Sequence, residues 1–77
     1  MRAKILSKEK IYFEGKITSA LLPTVEGEIE ILKNHAPIFA LLKEGKIKIQ
    51  TPKYKKQIFA KSGVIKFFKN NLLILIK

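Results

Sequence analysis

Lys46-Ile47-Lys48-Ile49-Gln50 alternates polar and apolar side chains without a break. A period of two puts successive side chains on opposite faces of an extended chain, so Ile47 and Ile49 share one face and the lysines the other. A helix, at about 3.6 residues per turn, would scatter the same residues around its girth. Reading outward, Glu28-Ile29-Glu30-Ile31 repeats the rhythm with glutamates outside. Ala3 and Ile5 pair across Lys4, and Ile11 and Phe13 pair across Tyr12. Ile17, Ser19 and Leu21 share a face, while Ala20 and Leu22 make the other face apolar too. Later, Gln57 to Ala60, Val64 to Phe68 and Leu72 to Ile76 bring β-branched or aromatic residues at strand length.

Turn formers fall between these runs. Gly15, Pro23, Gly27, Gly45, Pro52 and Gly63 punctuate the chain, and Lys69-Asn70-Asn71 reads as a tight hairpin. Strand units recur about every eight to ten residues, as in an antiparallel sandwich or barrel. The sequence therefore predicts an all-β fold, a two-sheet antiparallel β-sandwich of short strands in a single domain over residues 1–77. Ala36 to Lys43 is the ambiguous stretch. Its Ala, Leu and Lys favour helix, whereas Pro37, Gly45 and the short length favour a bent strand or a single turn.

Composition narrows the function classes. With no cysteine there are no disulfides and no thiolate ligands or nucleophiles. Asp is absent, against metal-dependent phosphoryl transfer or a calcium loop, and one histidine, His35, cannot build a zinc site alone. Neither GxGxxG nor a P-loop occurs. Catalytic, cofactor and metal residues are accordingly none. Met1-Arg2-Ala3-Lys4 leads into alternation rather than a signal-like apolar run. The longest apolar stretch, Leu72 to Ile76, is far below the roughly 20 residues of a spanning helix. These features lead to the expectation of a soluble cytosolic domain.

The formal charge is +10, and Arg2 is the only arginine among 16 basic residues. Such a balance suits an anionic partner, or a solvated outer face with blunted edges. Glu26, Glu28 and Glu30 read as one acidic strip, with about 6.5–7 Å between neighbours, too far apart for paired acid–base work. His35, just ahead of Ala36-Pro37, reads as an imidazole hydrogen-bonded to a loop carbonyl. Tyr12, Tyr54 and Phe68 are candidate stacking residues for single-stranded nucleic acid in an alternative reading as a small basic OB- or SH3-like module. More telling are Ile38 to Leu42 and Leu72 to Ile76, apolar on both faces. A two-layer fold hides only one face, so the surplus points to docking.

Glu26-Gly27-Glu28-Ile29-Glu30-Ile31-Leu32-Lys33-Asn34-His35-Ala36-Pro37 resembles the epsilon subunits of F-type ATP synthases, called delta in mitochondria. Their pattern runs Gly-Glu, a hydrophobic, usually glycine, Ile-Leu, often proline, a small residue or Asn, then His-Ala-Pro. Phe13-Glu14-Gly15, Leu22-Pro23, Leu42 to Ile47, Phe59 to Gly63 and Asn71 to Leu75 extend the match in order across the chain. Glu30 stands for a glycine, Lys33 for a frequent proline, and Val64 for the second glycine of a common Gly-Gly pair. The resemblance implies a non-catalytic rotor subunit of a proton- or sodium-translocating synthase, without cofactor. It would be peripheral on the cytoplasmic face of the bacterial plasma membrane, with nucleotide chemistry left to the alpha and beta subunits. It implies packing on the gamma subunit, for which Phe39, Leu41, Leu73 and Leu75 are candidates, and contact with the c-ring, for which Glu28, Glu30, Asn34 and His35 are candidates. Glu28 and the segment around His35 are expected at the same, ring-facing end. The family usually continues into a two-helix C-terminal domain. Residues 1–77 hold no such helices, as in a naturally short form or a piece of a longer chain, and on the resemblance they are expected to carry neither helix-mediated inhibition nor helix-borne ATP binding.

Overall fold

Alternating apolar and polar side chains settle into nine strands and no helix in the computed structural model, which describes Met1–Lys77 throughout. In chain order they are β1 (Arg2–Leu6), β2 (Ile11–Lys16), β3 (Ser19–Thr24), β4 (Gly27–Leu32), β5 (Ile38–Leu42), β6 (Gly45–Gln50), β7 (Lys55–Ala60), β8 (Gly63–Phe68) and β9 (Asn71–Ile76). Layer I has the order β2-β1-β9-β8-β5 and layer II the order β4-β3-β6-β7. A corner joins them, where Thr24 of β3 pairs with Leu42 of β5. Neighbours run antiparallel, as expected for a sandwich, with one exception: β1 and β9 are parallel, Ile5 opposite Ile74.

The inner faces follow from the register. Paired residues share a face, so Ile5, Ile74, Ile65 and Ala40 form a row across β1, β9, β8 and β5. Ala3, Leu72, Phe67 and Ile38 form the next. Layer II contributes Ala20, Leu22, Ile31, Ile47, Ile49, Ile58 and Ala60, and 17 buried hydrophobics make one core. Ala36 to Lys43 resolves as the strand β5, because Pro37 favours extended backbone at its entry and Ala40 and Leu42 are wanted inside.

Several local expectations change for definable reasons. Ile11 does not share the inner face with Phe13. A register shift opposite Ile5/Leu6 makes Tyr12 an extra, bulged residue and leaves Ile11 53% exposed. Ile17 is buried, but Ser19 and Leu21 face outward, because β3 starts afresh at Ser19 after a bend at Thr18 whose N–H donates to the Gln50 carbonyl. Glu26 lies in the turn before β4, leaving only Glu28 and Glu30 on the strand face. Lys69-Asn70 forms the turn by itself, with Asn71 already in β9. Both turn residues have positive φ, 49° and 61°, as a type I′ hairpin requires.

Loops cap both ends. Met1 and the turns at 17–18, 33–37, 51–54 and 69–70 form what we call the amino end. The turns at 7–10, 25–26, 43–44 and 61–62 form the far end. Two buried threonines hold turns from beneath. The Thr51 hydroxyl accepts from the Lys53 and Tyr54 N–H groups at 3.1 and 2.9 Å and donates to the Tyr54 carbonyl at 2.9 Å. Thr24 does the same under the 25–26 turn, accepting from Glu26 N–H and donating to the Gly27 carbonyl. At the amino end Asn34, with φ 66°, donates its N–H to Asn70 Oδ1 at 2.7 Å, and Asn70 Nδ2 donates to Asn34 Oδ1 at 3.0 Å. The outer strands β2 and β7 are stitched by Lys56, whose Nζ donates to the carbonyl of the bulged Tyr12 at 3.1 Å.

Two substitutions test this construction by urea denaturation. Thr51→Val keeps the shape but strips the hydroxyl from three hydrogen bonds. It should lower stability by about 1–3 kcal/mol, seen as a fall in midpoint with unchanged slope. At Gly63 a Cβ would collide with the Leu75 carbonyl oxygen and come within 2.9 Å of Leu42 Cδ1. Gly63→Ala should therefore destabilise by about 1–3 kcal/mol through overpacking, whereas Val64→Ala, which alters only the outer face, should cost less.

Candidate functional site: an apolar outer face on layer I

The register that fills the core also arranges the opposite face of the same strands. Leu41, Val64, Leu75 and Leu6 stand side by side across β5, β8, β9 and β1. One step toward the amino end, Phe39, Lys66, Leu73 and Lys4 form a second row, ended by Glu14 of β2. Beyond it lie Phe68, Asn71, Arg2 and Lys16. Phe39 is 73% exposed and Leu41 52%. Leu73, Leu75 and Phe68 also remain open. This is a continuous apolar strip with lysines set into it and charge at its margin, the anatomy of a surface built to be covered.

Layer II presents a different outer face. Glu28 pairs with Pro23, and Glu30 with Leu21, which in turn faces Lys48 and Gln57. Lys46 and Phe59 follow at the far end. Carboxylates on β4 thus give way to lysines on β6 and β7, and no apolar strip spans the strands. Groups of three or more His, Asp or Glu side chains do not gather anywhere.

Phe39, Leu41, Leu73 and Leu75, expected from sequence as gamma-facing residues, come together on the layer I face. The residues expected at a ring do not form one cluster. Glu28 and Glu30 are exposed on layer II, Glu28 close to the far end, whereas Asn34 and His35 lie past the other end of β4 in the amino-end turn. The expectation that Glu28 and the His35 segment share an end is therefore corrected, because a six-residue strand separates them. Asn34 is engaged in the clasp with Asn70. His35 donates from Nδ1 to the Ala36 carbonyl at 2.7 Å, the loop-carbonyl bond expected from sequence. Its ring meets the buried Phe67 edge-on, with centroids 6.0 Å apart, and so lids the core.

The stacking candidates are partly occupied. Lys10 Nζ sits 4.6 Å over the Tyr12 ring and Lys69 Nζ 5.3 Å over the Phe68 ring. Each ring has one face closed by a cation, which disfavours it as a base-stacking platform. Sequence reasoning did not single out Leu6 or read Val64 as part of the site. Val64 replaces a glycine of the family pattern, and the structure turns that departure into the centre of the apolar row. Glu30 and Lys33, the other departures, are exposed and leave the strands intact.

The comparisons with known proteins agree with this architecture. The profile of the ATP synthase delta/epsilon chain β-sandwich domain matches residues 1–77. An ATP synthase epsilon chain from Clostridium novyi is 39% identical over 75 residues, covering 96% of this chain and 57% of that protein. One from Pelagibacter ubique is 33% identical over 96% of this chain and 58% of its own length. The chain thus spans little more than half of these curated relatives. Among solved structures, a chain of the Tetrahymena thermophila mitochondrial ATP synthase central stalk and c-ring superposes with a TM-score of 0.83 at 16% identity, over 99% of this chain and 62% of that one. A chain of the Euglena gracilis mitochondrial ATP synthase gives 0.88 at 16% identity, over 96% and 48%. With residues 1–77 matched by the family profile and curated epsilon chains more than 30% identical over nearly all of it, the chain belongs to the β-sandwich domain family of ATP synthase delta and epsilon subunits.

Proposed function

We propose that this chain is a non-catalytic part of the central stalk of an F-type ATP synthase, the sandwich domain through which the gamma subunit is coupled to the c-ring. The apolar outer face of layer I carries this reading. Leu41, Val64, Leu75 and Leu6 cross four strands in one row, with Phe39, Leu73 and Phe68 beside them. Full burial of a large apolar side chain contributes about 1.5–3 kcal/mol. These residues are already partly covered by neighbours, so each adds a fraction of that on docking, and together they provide a hydrophobic anchor. The gamma subunit is the partner assigned to this face.

The coupling role is mechanical. A sandwich with one dry core resists bending, so torque applied at the layer I face reaches the rest of the body with little loss. Glu28 and Glu30, exposed on the side of layer II, are assigned to contact with the ring, where charge sets register and rate of assembly rather than raw affinity. Asn34 and His35 belong to the opposite end, and their ring assignment is exchanged here for holding the turn. The alpha and beta subunits supply the nucleotide chemistry, and the domain works as a peripheral component at the cytoplasmic face of a bacterial plasma membrane. The family membership, the fold shared with chains of two mitochondrial ATP synthases and the apolar face all support this reading over nucleic-acid binding.

Gel filtration with the gamma subunit of the same organism at about 0.3 M salt, where exposed charge pairs are largely screened, tests the assignment. The chain should comigrate with gamma. The pair Leu41→Glu and Leu75→Glu, both at exposed positions, should keep the fold but weaken the complex at least about tenfold by placing charge in a hydrophobic contact. Phe59→Glu, equally exposed on layer II, should leave it intact; equal loss in both variants would remove the face assignment. Glu28→Ala should change thermal stability by no more than about 0.5 kcal/mol while lowering ion-driven ATP synthesis in the assembled enzyme. Unfolding of that variant would make Glu28 structural instead.

A further inference from the structure

Charge is unequally shared between the two ends of the sandwich. At the amino end Lys33, Lys53 and Lys69 stand on the turns with the Met1 α-amino group, and Arg2, Lys16 and Lys55 at the adjoining strand ends. These turns carry no carboxylate, and Glu14 and Glu30 stand two residues in from the ends of β2 and β4. At the far end Lys8, Lys10, Lys43, Lys61 and Lys77 are interspersed with Glu9, Glu26 and Glu44, and Glu28 follows at the start of β4. The two ends therefore differ in field, although both are exposed and lysine-bearing. The amino end is also firmly built. The Asn34–Asn70 clasp joins two of its turns. The Thr51 hydroxyl closes a third, where Gln50 Nε2 adds bonds to the Thr51 and Tyr54 carbonyls at 2.8 and 3.3 Å. Cations held on rigid turns concentrate positive potential without losing backbone entropy when a partner arrives.

We propose that the amino end is a docking surface for a carboxylate-rich segment of a protein partner. Charge complementarity selects an acidic ligand, and the local chemistry selects protein among the acidic ligands. Phosphate chains favour arginine forks and open aromatic faces. Here Arg2 is the single arginine, and Lys69 stands over one face of Phe68, which leaves Tyr54, 52% exposed, as one open ring rather than a stacking platform. An anionic bilayer rewards a set of apolar side chains that insert together beside lysines, yet the rings here stand singly: Phe68 lies at the margin of the layer I face, Tyr54 carries a hydroxyl on another turn, and His35 is laid against Phe67. Separate lysines on separate turns suit separate carboxylates spaced along a polypeptide. Arg2, Lys16 and Phe68 also form the margin of the layer I face. A partner seated on that face meets this charge at its rim, and this last point rests on the docking reading given above.

The test is a titration of the isotope-labelled chain, followed by NMR, with an oligo-glutamate peptide. Phosphatidylglycerol vesicles and oligothymidylate are titrated in parallel at equal charge. The peptide should shift the amides of Asn34, Lys53, Tyr54, Lys69 and Asn70 ahead of those of Glu9, Lys43, Glu44 and Ser62. The triple variant Lys33→Glu, Lys53→Glu, Lys69→Glu should weaken the peptide at least about tenfold, and Lys8→Glu, Lys43→Glu, Lys61→Glu, an identical change in net charge, by less than about threefold. Equal weakening by both triples would reduce the effect to net charge and overturn the proposal. A tighter response to vesicles or oligonucleotide than to peptide would overturn it in favour of lipid or nucleic acid. The association rate of the same variants with the gamma subunit separates the two readings. Slowing only in the amino-end triple joins the surface to the stalk partner, whereas peptide binding without gamma binding retains the surface and removes the stalk assignment.

Discussion

Ile5, Ile74 and Ile65 lie side by side on β1, β9 and β8, each without exposed surface, and the molecule depends on that row. Its first two members are almost the whole chain apart in sequence. Their parallel pairing is possible only because everything between them has turned back through seven other strands. Contacts of such long range are entropically costly to close and reward the chain late, so this topology belongs to the slower-folding β class. Once formed, the row locks register for the whole of layer I. Because side chains alternate, a slip of one residue in β9 would put Leu73 and Leu75 into the core and Leu72, Ile74 and Ile76 into solvent.

One register thus builds two surfaces. Ile5, Ile74 and Ile65 look inward, while Leu6, Leu75 and Val64, their immediate neighbours along the strands, look outward and meet Leu41. In most antiparallel sheets the outer positions would be polar. Here layer II comes closer to that rule, its apolar outer residues such as Leu32 and Phe59 standing apart among charges, and layer I departs from it. The difference between the layers gives the domain a direction: an apolar partner has one face to choose, and Lys66 and Lys4 within that face decide what the partner must place opposite them.

Strand identity was legible in the sequence because period two survives local noise. Lys46 to Gln50 and Glu28 to Ile31 predicted their own faces, and the surplus apolar character of Ile38 to Leu42 and Leu72 to Ile76 announced an outer surface needing cover. What was not legible depended on register and on single bends. Nothing in Ile11-Tyr12-Phe13 declares that Tyr12 is bulged and Ile11 turned outward. Nothing in Thr18 states that β3 begins a new phase after it. The family pattern marked Val64 as a departure from glycine, but only its position between Leu41 and Leu75 gives that departure a consequence. Thr24 and Thr51 were silent because a buried hydroxyl under a turn leaves no periodic trace.

An apolar face on a small β domain invites sheet-to-sheet aggregation, and the distribution of lysines answers that hazard. Lys66 lies between Phe39 and Leu73, and Lys4 between Leu73 and Glu14, so a second copy laid against the first would have to take these ammonium groups out of water. The outermost strands are managed separately: the Tyr12 bulge disrupts the β2 edge, and Lys56 spends its ammonium on the carbonyl that the bulge frees. The excess of positive charge is therefore more than a solubility device. On the docking reading proposed above, those lysines favour a partner with carboxylates at matching positions, so specificity would come from what the face repels as much as from what it buries.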